Sequence, residues 1–151
     1  KNILFDVVAE GKGIKEVTDN MTARIDVARS RAERIARTEI IQAYQRGSVN
    51  EVIRAGEEMG EELKVRWVSA LAPGRTRELH WRWHGDIITT EEANRRMNVS
   101  PWNCLCAIVP VIETPNIAQK NEQFKREKQQ FTRMETNAQQ IQINEIMHRI
   151  T

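Results

Sequence analysis

The chain has 151 residues, of which 40% are hydrophobic, 29% charged and 5% aromatic, enough for one modest core and too little for two large domains. Its mean hydropathy of −0.59 and the lack of any run near the ~18 consecutive apolar residues of a membrane span point to long solvated helices or arms rather than a densely apolar enzyme core. The 23 basic and 21 acidic residues leave a formal charge of +2, too weak a field to argue for nucleic acid by itself.

The charge is spread as nine basic and seven acidic groups in residues 1–47, eight and ten in 48–115, and six and four in 116–151. Two mildly positive flanks therefore bracket a mildly acidic centre. Lys1 to Asp6 contain neither an initiator Met nor a signal-peptide apolar stretch, so Sec export is not expected and the sequence reads as part of a longer chain. Both cysteines fall within Asn103-Cys104-Leu105-Cys106, too close for a disulfide framework and strained for a direct bridge. A reducing compartment fits them best.

From Val17 to Gln45 the residues Val17, Met21, Ile25, Ala28, Ala32, Ile35, Ala36 and Ile40 recur every three or four positions, the stripe of an amphipathic helix. Asp19 or Asn20 is the expected start cap and Gly47 the expected end. Arg24, Arg29, Arg31, Arg34 and Arg37 lie on its other faces, among Asp26, Glu33 and Glu39, either as a solvated face or as a basic ridge toward a partner. Ser48-Val49-Asn50-Glu51 has capping-box spacing and predicts a second helix to Met59, closed by Gly60.

Leu63, Val65, Trp67, Ser69 and Leu71 alternate with Lys64, Arg66, Val68 and Ala70, the period of a strand with one buried face. Pro73-Gly74 breaks the chain. A short helix over Arg75 to His84, closed by Gly85, a short strand at Ile87-Ile88 and a capped helix start at Thr89-Thr90-Glu91-Glu92 follow. Leu105 to Ile112 reads as a strand buried on both faces. After Pro115 the chain turns rich in Gln, Asn, Lys and Glu, and Asn116 is placed to cap a long helix. Ile117, Phe124, Phe131 and Ala138 recur by sevens, with Lys120 and Glu127 in companion positions. A seam so weak is expected to lie against this domain or another protein rather than to self-associate strongly; a poorly ordered polar tail is the competing reading.

The densest group of reactive residues is Arg75-Thr76-Arg77-Glu78-Leu79-His80-Trp81-Arg82-Trp83-His84-Gly85, followed by the Cys-x-Cys. His80 and His84 share a helix face, and Cys104 and Cys106 share a strand face. Two imidazoles and two thiolates are a tetrahedral ligand set for zinc; the alternative is cysteines acting as small core residues beside ordinary helix histidines. An acid–base pair of His80 with Glu39 or Glu78, or a nucleophile–base pair of Cys104 with His80, has no spacing that demands it. A phosphate-binding glycine loop, HExxH and G-x-S-x-G are all missing from the sequence. Trp67, Trp81, Trp83 and Trp102, interleaved with Arg66, Arg75, Arg77 and Arg82, suit either base stacking or core packing.

Taken in order, Arg34-Ile35-Ala36-Arg37-Thr38-Glu39, Arg75-Thr76-Arg77 leading to His80 and Gly85, and Asn103-Cys104-Leu105-Cys106 resemble the phage Mu F-like minor head proteins, also called phage head morphogenesis proteins. The resemblance spans roughly Ile25 to Ile112. It places the family's Ile-Ala-Arg-Thr-Glu on Ile35 to Glu39, its Arg-Thr-Arg-x-x-His on Arg75 to His80, and its Cys-x-Cys on Cys104 and Cys106. Three positions depart from the pattern: Pro73-Gly74 where an acidic residue is common, His84 where Asp precedes the glycine, and Leu105 where Arg separates the cysteines. The first two departures remove acids that would ligate or orient a metal.

The resemblance implies a structural, non-enzymatic minor head protein of a tailed phage, present in multiple copies in the virion at or near the portal vertex, and in the host cytoplasm during assembly. Its implied partners are the portal protein, the major capsid protein and packaged double-stranded DNA, with no membrane while in the head and a role in head assembly, DNA packaging or delivery. The alternative is a metal-dependent or ADP-ribosyltransferase-like enzyme using His80 and Cys104/Cys106. Zinc is the one cofactor in view, with His80, His84, Cys104 and Cys106 as ligands. Independently of the resemblance, Arg37, Glu39, Arg75, Arg77 and His80 are candidates for a buried polar network that fixes packing. The expected class is α+β: an N-terminal arm over 1–16, a body over 17–115 with long N-terminal helices on a small sheet or hairpin region, and a C-terminal helical arm over 116–151.

Overall fold

In a computed structural model the described residues are 11, 13–25, 28–99, 102–112 and 115–150, with backbone alone at 24, 25, 146, 149 and 150. Most of the expected N-terminal arm, residues 1–16, lies outside them. The architecture is α+β: helices α1 (Ile14–Ile25) and α2 (Arg29–Met59), strand β1 (Lys64–Val68), helix α3 (Glu78–Arg82), strand β2 (Ile87–Thr89), helix α4 (Thr90–Met97), strand β3 (Ala107–Pro110) and the long helix α5 (Ile117–Ile150). The strands form one antiparallel sheet in the order β2-β1-β3, with Val65 opposite Ile88 and Trp67 opposite Ile108.

The predicted Val17–Gln45 helix is two helices. α1 folds back so that Val17 and Met21 bury against Ala32, Ala36 and Ile40 of α2, which covers a stripe that one straight helix would leave in water. Asp19 and Asn20 sit inside α1 instead of capping it; Asp19 pairs with Lys15 and Arg29, and Asn20 Nδ2 donates to the Glu16 carbonyl. The predicted break at Gly47-Ser48 is likewise absent. Gln45, Val49, Val52 and Gly56 are buried at steps of four, three and four, so the stripe runs on through the glycine. A mid-helix glycine costs only about 1 kcal/mol, and this burial outweighs it. Gly60 closes α2 as expected, in the left-handed region at φ 71° with its N–H on the Gly56 carbonyl.

Of the alternating set in the first strand, Val65, Trp67 and Ser69 are buried. Val65 and Trp67 join Val49, Val52, Ala93, Met97, Cys104, Cys106 and Ile108 in a core between α2, α4 and the sheet. Arg66 is buried as well, which the alternation did not predict, because α5 crosses the opposite face. Thr89 caps α4, its hydroxyl accepting from the Glu92 N–H. The Leu105–Ile112 strand corrects the expectation of two buried faces. β3 is an edge strand in which only Ile108 is buried, and Pro110 suits that edge because it has no N–H to donate.

The first half of α5 lies on the body through side-chain contacts. Arg66 donates to Asn121 (2.6 Å) and to the Gly85 carbonyl (3.0 Å), with its guanidinium 4.5 Å from the Phe124 ring centre. His84 Nε2 meets Glu127 at 3.1 Å, Lys128 meets Asp86 at 3.4 Å, Phe131 packs on Trp81, and Glu135 accepts from the Gly74 N–H. The seam of Ile117, Phe124 and Phe131 is thus spent on the chain's own body, and Glu127 in the companion position is occupied by His84. A groove of about 670 Å³ remains between α5 and the sheet, walled by Val109, Ile117, Phe124 and Glu127. Beyond Glu135, Ala138, Ile141, Ile143 and Met147 are exposed.

Candidate metal centre

The segment from Asn103 to Cys106 is held by the middle of α2. Asn103 has φ 54°, a left-handed conformation that Asn tolerates better than most residues. Its N–H donates to the Thr38 hydroxyl at 2.9 Å, and its side-chain oxygen accepts from Arg37 at 3.1 Å. Two turns further along α2, buried Gln45 donates to the Cys106 carbonyl at 2.6 Å. On the other side, Ser69 at the end of β1 donates to the His80 carbonyl at 2.5 Å and tethers α3.

These tethers bring His80, Cys104 and Cys106 together, all buried. His80 Nδ1 stands 3.4 Å from each sulfur, and the three ligand atoms lie within 4.8 Å of one another. The Cys106 N–H donates to Cys104 Sγ at 3.3 Å, Gln45 Nε2 lies 4.0 Å from the same sulfur, and Ser69 Oγ lies 3.5 Å from Cys106 Sγ. The hydrogen bond with Cys106 pulls the Cys104 thiol well below its ordinary pKa, His80 adding to the effect, while the same contact and burial push Cys106 up.

The His80 ring is stacked on Trp83 at 5.5 Å and meets the Trp67 edge at 6.0 Å. Its Nε2 and the Trp67 Nε1 are buried without a hydrogen-bond partner among the described residues. A cavity of about 20 Å³ borders all three ligand residues together with Arg75 and Asn103. It has room for one water or one ion.

His84 departs from the predicted four-residue set. Its Nδ1 accepts from the Ser69 N–H at 3.1 Å and its Nε2 faces Glu127. α3 ends at Arg82, so His84 lies beyond the helix and does not share the face of His80. The five-residue polar network is also not assembled as drawn. Arg37 bonds Asn103 and Glu33, Arg77 bonds the Trp102 carbonyl, and His80 faces the thiols. Glu39 and Arg75 make no polar side-chain contact among the described residues, and Arg75 is exposed. What the motif residues share is the 102–106 segment, not one another.

The tryptophans are largely committed to packing. Trp67 is 1% exposed, Trp83 stacks on His80 under the Arg96 guanidinium, and Trp81 packs on Phe131; only Trp102 is open. The sequence reading missed Thr38, Gln45, Ser69 and Asn103. Thr38 and Asn103 stand inside the quoted motifs, whereas Gln45 and Ser69 carry no local signal of their role.

The three motif segments, 35–39, 75–80 and 103–106, thus converge on one loop, as parts of one family pattern should. The model of the family described as Phage Mu protein F like protein matches residues 1–109. The chain belongs to that family. Its members are phage head morphogenesis proteins, and the match covers both core clusters, the sheet up to Val109 and every residue of the His80–Cys104–Cys106 group. No curated protein and no solved structure matches the chain. No described helix is long and apolar enough to cross a membrane.

Proposed function

We propose that this chain is a structural minor head protein of a tailed bacteriophage, held at the portal vertex in multiple copies and acting in head assembly, DNA packaging or DNA delivery. Family membership over residues 1–109 is the observation that carries the reading. The long helix α5 supports it: its first half is docked on the rest of the fold, and its far half keeps Ile141 and Ile143 exposed. Such a half-used helix suits a contact with a neighbouring subunit, the portal protein first and the major capsid protein second. Packaged DNA is a neighbour in the same place. The net charge of +2 makes a tight electrostatic grip on it unnecessary to the reading.

One observation favours an enzyme, the 3.4 Å approach of His80 to Cys104, which is nucleophile–base geometry. Access weighs against it, because a cavity of about 20 Å³ cannot hold a substrate and its attacking group together. The head reading is tested by pulling the chain from infected lysate. Recovery of the portal protein with it supports the assignment, and recovery of neither portal nor capsid protein refutes it.

A further inference from the structure

The sequence alone offered four zinc ligands, and the fold separates one of them from the other three. His84 is engaged by Ser69 and Glu127, while His80 Nδ1, Cys104 Sγ and Cys106 Sγ converge inside 4.8 Å. We propose that these three residues bind one zinc ion as a structural clamp, with a single water in the small cavity as the fourth ligand. The proposal concerns the body itself and does not depend on where in the head the protein sits.

Geometry is the first support. Ligand bonds of about 2.3 Å to sulfur and about 2.0 Å to nitrogen at a tetrahedral angle place S and N roughly 3.6 Å apart, and both observed separations are 3.4 Å. The third edge, between the two sulfurs, lies within the same 4.8 Å. The donor set is the second. Two thiolates and an imidazole are borderline-soft ligands that suit a tetrahedral d10 divalent ion rather than magnesium or calcium.

The groups around the sulfurs are the third support. Thiolate charge in a buried site needs hydrogen-bond donors aimed at it. Cys104 receives the Cys106 N–H at 3.3 Å and the more distant Gln45 amide at 4.0 Å. The fourth support is His80 itself. Its Nδ1 faces both sulfurs at 3.4 Å while its ring is stacked on Trp83, so the imidazole is already aimed at the point an ion would occupy. The size of the cavity then sets the role. A three-residue zinc site with an open position can be catalytic, but about 20 Å³ admits water alone. The ion would tie α3 to the segment that α2 already holds through Asn103, closing the body at one buried point.

The test uses the full chain purified without chelator and analysed for metals by mass spectrometry. About one zinc per chain is expected, as for a structural site, absent from the Cys104→Ser/Cys106→Ser variant and retained in His84→Gln. The wild-type chain, stripped and titrated with cobalt(II), should show thiolate-to-cobalt charge transfer and the intense visible bands of tetrahedral cobalt, saturating at one equivalent. This arm needs no variant to fold. A wild-type chain that takes up neither metal, a weak octahedral cobalt spectrum, copper or iron in place of zinc, or zinc surviving loss of both thiols would each overturn the proposal. Loss of zinc in His84→Gln with a native circular dichroism spectrum would overturn the three-residue assignment.

Discussion

The Asn103 N–H donates to the Thr38 hydroxyl over 2.9 Å, joining residues 65 apart in sequence. The Thr38 hydroxyl also donates to the Arg34 carbonyl at 2.8 Å, so one buried side chain serves the helix that carries it and the loop that carries the cysteines. Thr38→Val keeps the shape and leaves the Asn103 N–H unpaired. A buried donor without a partner costs about 1–3 kcal/mol, and chemical denaturation should register a loss of that size. An unchanged midpoint would mean that the loop is held by other means.

Gly85 lies directly against Phe124 of α5. It has φ 83°, and a Cβ there would stand 2.7 Å from the Phe124 Cβ. Gly85→Ala therefore combines backbone strain of about 1–3 kcal/mol with a clash that only displacement of α5 relieves. Limited proteolysis should show faster cleavage after residue 115 in the variant than in the wild type. Equal rates would contradict the docking described for the arm.

Phe131 is 3% exposed and packs on Trp81. Its truncation to Ala should cost about 3 kcal/mol, the lower end of the range for buried aromatics, because the site borders solvent. Hydrogen exchange should speed up along the first half of α5 while the amides of α2 keep their protection. A uniform loss of protection would instead make the arm part of one cooperative unit with the body.

The Glu127 carboxyl is held below its ordinary pKa by its hydrogen bonds with Gln123 and then His84. A depressed folded-state value means that this contribution is complete above the unfolded carboxylate value of about 4.3 and is lost as pH falls through the lower folded one. Acid should therefore loosen the arm, and Glu127→Gln should flatten this pH dependence when arm protection is followed by proteolysis with an acid-active protease. An identical acid response in both proteins would remove Glu127 from the account.

Much of the fold was legible because its signals are local. The Thr89 cap, the Gly60 stop, the alternation in β1 and the helix start after Pro115 each depend on a few adjacent residues. The errors arose where tertiary burial outweighed local signals. Gly47 and Ser48 read as a stop and a start, yet the buried stripe of Gln45, Val49 and Val52 carries α2 through them. Arg66 looked like the solvent face of a strand until α5 covered it. In the candidate site, His80 and the two cysteines stood out by type and spacing, whereas His84 was placed wrongly because helical spacing was extended past the end of α3. Gln45 and Ser69 could not be found at all, since their roles exist only once distant segments meet.

The central claim, a structural component of the phage head, is tested most directly by imaging. Purified particles reconstructed without imposed icosahedral symmetry should show this chain at the portal vertex in fixed stoichiometry, with residues 136–150 against a neighbouring subunit. Particles that are complete and infectious without any copy of the chain would contradict it.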